Sequence, residues 1–124
     1  MPPASPPLAV GPVGGYDLPS ARGVCDQRYP AQIGNYLAHA QCVNAAIERY
    51  ALASSPSPDL VGLQEQARVQ LSQRIDSRVI SADDGAAQMT AVDRAVDAAE
   101  RERAAAHPSE ADDQIRRIQT IINP

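Results

Sequence analysis

Neither phenylalanine nor tryptophan occurs in the 124 residues, and four tyrosines are the whole aromatic content. A core here must be filled by Leu, Ile, Val, Met, Ala and a few Tyr. The hydrophobic fraction is 44%, but much of it is Ala, and Ala-rich faces bury little apolar area per residue. A core that thin calls for a staple or a partner. The shortage of aromatics also removes the stacking platform used to bind single-stranded nucleic acid. Lysine is absent too, so all 11 basic residues are arginines. That excludes a Schiff-base lysine and a P-loop lysine, and it fits the codon drift of a GC-rich genome. There is no basic excess: the net charge is -4 and the isoelectric point about 5.0, opposite to the basic face of a nucleic-acid binder. No run approaches the roughly 20 apolar residues that span a bilayer, so no transmembrane segment is expected. Met1-Pro2-Pro3 has neither a basic n-region nor an apolar h-region. Met1 is then either the native start of a cytosolic protein or the start of a processed, exported one.

What is present reads as helix behind a Pro/Gly-rich tail. Residues 1–21, MPPASPPLAVGPVGGYDLPSA, are dominated by Pro and Gly, which favour neither helix nor sheet ladder. They are expected to be disordered or extended. Their functional alternative is a Pro-rich ligand for a groove domain, though flanking basic residues and a clean repeat are missing. A chain of this length accommodates one domain, here residues 22–124. Within it a first helix is predicted from Ala31 or Asn35 to about Ala53, with Ile33, Tyr36, Ala40, Val43, Ile47 and Tyr50 on one stripe. A second opens at Ser57-Pro58-Asp59, where Ser57 can cap, Pro58 takes the first position and Asp59 complements the dipole. Its stripe is Leu60, Leu63, Ala67, Leu71 and Ile75, and Arg74 and Arg78 stand in its last turns.

Ser81 with Asp84 reads as a capping box with Asp in place of Glu. It opens a third helix carrying Ala82, Met89, Val92, Val96 and Ala99. The short link through Val79 and Ile80 implies an antiparallel hairpin, with arms on the order of 30 Å and Val79 and Ile80 closing its end. Pro108 breaks this helix. Ser109 and Asp112 repeat the cap, and Ile115, Ile118 and Ile122 form the stripe of a terminal amphipathic helix. That helix is expected to be the most separable element, with Asp112–Arg116 and Asp113–Arg117 as i,i+4 pairs.

Cys25 and Cys42 are the residues most open to chemistry. An even count fits a disulfide. An extended strap from Pro30 back to Cys25 spans roughly 17 Å, the length of about eleven helical residues. It would therefore reach the level of Cys42 along the flank of the first helix. Closing that loop is worth roughly 3 kcal/mol, and the bond would favour an oxidising compartment. The other reading is two unpaired thiols packed as small hydrophobes. His39 lies three residues before Cys42 on the same side of the helix. With Cys25 and His107 they make four candidate zinc ligands, at a spacing that matches no compact zinc motif.

No G-x-S-x-G elbow is present. The acids form exposed ladders rather than an inward carboxylate pair. The glycines form no phosphate-cradling loop, and Asp83-Asp84-Gly85 lacks the downstream acids of a calcium loop. No catalytic or cofactor-binding residue is assigned.

Three segments together carry a resemblance: CDQRYPAQIGNYLAHAQCVNAAI at Cys25–Ile47, PDLVGLQEQARVQLSQRID at Pro58–Asp76, and ISADDGAAQMTAVDRAV at Ile80–Val96. They are similar to a group of small, predicted-exported helical proteins of alphaproteobacteria. That resemblance implies a leader, a cysteine pair and helices after it, and it implies no activity. This sequence departs from the pattern in lacking the leader.

The expected fold is thus all-α, a small helical bundle built on a long antiparallel hairpin. The expected function is a non-catalytic exported module that binds a protein partner or self-associates in the cell envelope. The alternative is a small metal-binding protein or enzyme using His39 and Cys42. The protein is expected to be periplasmic or secreted, or cytoplasmic if the cysteines are free, with no nucleic-acid partner and no cofactor.

Overall fold

A stripe of Leu and Ala at three-and-four spacing has to be buried against other helices, and the computed structural model does this with helices alone. It describes residues 17–105 and 111–124, and all regular structure among them is helical: α1 (Leu18–Arg28), α2 (Tyr36–Tyr50), a single 3-10 turn (Leu52–Ser54), α3 (Pro58–Asp76), α4 (Ala82–Ala104) and α5 (Ala111–Ile122). Helices pack as in a bundle within two compact units, which among the described residues are 17–55 and 56–105 with 111–124.

In the first unit α1 packs on α2. This helix corrects the extended strap expected between Gly23 and Pro30, and it places the tail boundary at Ala21 inside a helix. The local cause is clear. Asp17 is extended and its carboxylate accepts the Ser20 N–H at 2.8 Å, while Pro19 occupies the first turn, where a missing N–H costs nothing. The capping bond, with Ser20's backbone N–H as first cause, also holds the Asp17 carboxyl below its ordinary range. Arg28 sits in the last turn, favourable to the dipole. The rest of the tail, residues 1–16, lies outside the described residues.

α2 starts at Asn35, whose side chain donates to the Pro30 carbonyl at 3.1 Å instead of capping the helix. Gly34 turns the chain there with φ +100, a conformation glycine adopts without a Cβ penalty. Ala40, Val43, Ala46 and Ile47 are buried. Ile33, placed on the stripe by spacing, is 47% exposed because it precedes the helix.

The second unit is a three-helix bundle in which α3 packs on α4 and α5 packs on both. The buried residues of α3 are Leu60, Leu63, Ala67, Leu71 and Ile75, the stripe read from sequence. On α4 they are Gly85, Val92, Val96 and Ala99. Ser81 caps α4 by accepting the Asp84 N–H at 3.0 Å. Ala82 is exposed, and Gly85 takes its place in the core.

The close approach at Gly85 is specific: a Cβ added there would lie 2.5 Å from Ile75 Cδ1 and 3.0 Å from Cγ1. The link before α4 begins with a Schellman turn. Val79 N–H bonds the Arg74 carbonyl and Arg78 N–H bonds the Ile75 carbonyl, with Arg78 at φ 64 in the position usually given to glycine. Val79 is 70% exposed rather than closing the end; Ile80 does reach the Gly85 corner.

α5 is tied in more firmly than a separable terminal helix. Ile118 and Ile122 are 1% and 0% exposed and belong to the same cluster as Leu60, Leu63, Val92 and Val96. Arg74 of α3 donates to the Ile122 carbonyl at 2.9 Å and to Asn123 Oδ1 at 2.9 Å, and to Gln70 Oε1 of its own helix at 3.4 Å, so it ties the C-terminus of α5 to α3. Gln114 is buried, and its needs are met. Its amide donates to Glu102 Oε1 at 2.7 Å and to the Ala99 carbonyl at 3.4 Å, and its Oε1 accepts from Arg103 Nε at 2.9 Å.

Arg103 also forms a fork on Asp59, at 2.8 and 2.9 Å. One guanidinium thereby joins all three helices. Gln64 donates to Asp93 Oδ1 at 3.0 Å. These contacts pair the start of α3 with the end of α4, and Ile75 with Gly85 at the other end. The i,i+4 pairs expected on α5 are rearranged: Arg116 pairs with Asp113, and Arg117 with Glu102 at 3.4 Å.

Two glycines on facing helices separate propensity from packing. Gly62 has nothing within 4 Å of an added Cβ, so Gly62→Ala should stabilise by about 1 kcal/mol through helix propensity. Gly85→Ala should destabilise, since overpacking costs typically about 1–3 kcal/mol against that same gain. Urea titrations of the two variants, read by helical circular dichroism, should move the midpoint in opposite directions.

Acid gives a second check. The hydrogen bonds from Arg103 hold the Asp59 carboxyl below its ordinary value and raise the Arg103 guanidinium. A lowered folded-state value means the contribution is complete above the unfolded value, about 3.9, and is lost as pH falls through the folded one. Asp59 is 45% exposed, which limits the effect to about 1 kcal/mol or less. Stability measured from pH 5 to pH 3 should fall less steeply in Asp59→Asn than in the unaltered protein.

Candidate functional site

The candidate site lies in the first unit, where α1 ends and α2 begins. α1 presents Cys25 and Asp26; α2 presents Cys42 and, one turn earlier, His39. Packing the two helices puts Cys25 beside Cys42 and Asp26 beside His39. Cys25 and Cys42 are joined in a disulfide with Cα atoms 5.7 Å apart, and Cys25 is 1% exposed. The bond closes a sequence separation of 17. The pairing expected from sequence is present, but it joins two helices instead of pinning an extended strap.

Beside it, His39 Nε2 donates to Asp26 Oδ1 at 2.7 Å. This is a second link between the same helices on the solvent side: the His39 side chain is 34% exposed and that of Asp26 71%. Sequence reading missed Asp26 because a lone acid thirteen residues from a histidine has no signature until α1 packs beside α2.

Around this pair is a depression of about 250 Å³ lined by Asp26, Tyr29, Pro30, Asn35, Tyr36 and His39. Two tyrosines and a proline give it an apolar wall, and the His–Asp pair forms a polar edge. A His–Asp pair orients an imidazole, and the disulfide leaves neither sulfur as a thiol.

Of the candidate zinc ligands, the three among the described residues are not arranged around a common point. Cys25 and Cys42 bond each other and so offer no thiolate, His39 faces Asp26, and His107 lies outside the described residues. Among the described residues no group of three or more His, Cys, Asp or Glu is placed to hold a metal ion. Likewise no described helix is long and apolar enough to cross a membrane.

Comparison with known proteins adds no family: no family model, no curated protein and no solved structure matches this chain.

The disulfide can be weighed directly. A loop of this length is worth roughly 3 kcal/mol in the chain-entropy account, and α1 has one buried side chain, Cys25, to hold it on α2. In the double variant Cys25→Ser, Cys42→Ser, the amides of α1 should lose most of their hydrogen-exchange protection. Those of α3, α4 and α5 should keep theirs. Equal protection in both proteins would show that the bond is dispensable.

Proposed function

We propose that this chain is a non-catalytic, exported helical module that engages another protein chain, a partner or a second copy, in the cell envelope. The observation that carries the reading is an unfilled apolar seam in the second unit. Between α4 and α5 lies a depression of about 240 Å³ with Ala95, Ala98 and Ile121 along it and Glu102 and Arg117 at its edge. Small side chains there allow another helix to approach closely, and the two charges give that approach a polarity. The long antiparallel hairpin of α3 and α4 would serve as the rigid support for this face.

The Cys25–Cys42 bond supports the compartment. Such bonds persist in oxidising surroundings and are rare where thiols are kept reduced. Export also fits a domain whose core contains no Phe or Trp and which has a covalent staple.

The experiment is association measured with and without a charge placed in the seam. Sedimentation of the purified chain over a concentration series, together with capture from the native envelope, should reveal a complex. Ala98→Glu should abolish it while the helical spectrum is unchanged. Amine-directed crosslinkers are unsuited to a chain without lysine, so carboxyl-directed or photochemical reagents are required. A monomer at every concentration, with capture unaffected by the variant, would overturn the partner reading. Free thiols in protein taken from its native compartment would overturn export.

A further inference from the structure

The first unit depends on one reversible bond in a way that the second does not. α1 has a single buried side chain, and that side chain is Cys25 itself. The His39–Asp26 contact beside it stands partly in solvent, where ion pairs add little. With 11 residues, α1 is shorter than the roughly 12–15 at which an isolated helix becomes even marginal in water. Its place on α2 therefore follows the state of the two sulfurs. The second unit has no such dependence. Its core cluster, with Leu60, Val92, Val96, Ile118 and Ile122, contains no residue of α1 or α2.

The two sulfurs also differ in access. Cys25 is 1% exposed, whereas Cys42 is half-buried. The chain has no third cysteine, so a bond that opens has one intramolecular pairing to return to.

We propose that the Cys25–Cys42 bond is a redox latch: a dithiol reductant opens it in the folded protein, α1 leaves α2, and the α3–α5 bundle stays folded. Access sets the direction of attack. A thiolate of the reductant attacks Cys42 Sγ, and the bond between the two cysteine sulfurs breaks. Its electron pair leaves on Cys25 Sγ, which takes up a proton. The reductant's second thiol then displaces Cys42 from the mixed disulfide, and Cys42 Sγ is protonated in turn. Two electrons and two protons have passed to the chain, and the dithiol departs as a disulfide. Oxidation by a disulfide of the same class runs the steps backwards and docks α1 again.

The test uses the full chain with dithiothreitol and no denaturant. Both thiols should become available to alkylation. The amides of α1 should then exchange on the order of a hundredfold faster, the loop-closure contribution expressed as a ratio. Those of α3, α4 and α5 should be unchanged, and reoxidation should restore the original pattern. A second arm names the sulfur attacked. Trypsin cleaves after Arg28 and so puts Cys25 and Cys42 in separate peptides. Under brief exposure to glutathione with an acid quench, the adduct should fall on the Cys42 peptide. A bond that resists dithiothreitol until denaturant is added would overturn the latch and leave a permanent staple. Reduction that also unprotects α3–α5 would overturn it, as would α1 amides indifferent to reduction. An adduct on the Cys25 peptide would overturn the order of attack. None of these results bears on the α4–α5 seam, so this inference and the partner reading fail separately.

Discussion

The constraint on which the rest depends is side-chain size. Without Phe or Trp the core is filled by Leu, Ile, Val and Ala, and where Ala or Gly faces a partner the helices can come close. Gly85 against Ile75, and Ala67 and Ala99 at the centre of the α3–α4–α5 cluster, are where this closure happens. Close helices bury less apolar area for each residue ordered, so specific polar links carry more of the task of fixing one arrangement. In the second unit that task falls to arginine. Its planar fork can serve a carboxylate with two donors and still offer a third N–H elsewhere, which is how Arg103 holds Asp59 and Gln114 at once. Lysine, a point donor on a flexible stem, would hold one of them.

The first unit meets the same shortage by a different route. α1 has a single buried side chain, too little for a helix of that length to dock by burial alone. The covalent bond and the His39–Asp26 contact replace the missing area. Fixing α1 on α2 also fixes the elbow between them, so the groove formed by Tyr29, Pro30 and Tyr36 is shaped as a by-product of the staple.

The legible parts of the sequence were those governed by local periodicity. The α3 stripe could be read residue by residue, because Pro58 and Asp59 mark its first turn, though Ser57 makes no side-chain cap, and Leu and Ala recur without interruption. α4 was legible except at Gly85, where an apolar pattern gives no weight to a residue valued for having no side chain. The cysteine pairing was legible as a pairing, but its geometry was not. A Pro/Gly-rich run drew attention away from Asp17 and Pro19, a helix start whose cap works independently of what precedes it. The polar network around Gln114 was invisible for another reason. It depends on α4 and α5 meeting at a particular rotation, and nothing in the spacing of Glu102, Arg103 and Gln114 announces that. Asp26 with His39 belongs to the same class.

Arg74 has a consequence of its own. It grips the end of α5 through a main-chain oxygen, that of Ile122, as well as through the Asn123 side chain. A contact to the backbone is blind to residue type and sensitive to register. It acts as a ruler: whatever occupies that end of α5, the helix must deliver a carbonyl to the same place. Replacing Asn123 would remove one of the two contacts, whereas a one-residue insertion or deletion in α5 would misplace the carbonyl as well. Such a change would turn the next carbonyl about 100° around the helix axis, at 3.6 residues per turn, away from the guanidinium. The end of this helix is thus fixed in length by Arg74 and in residue type by the buried Ile118 and Ile122.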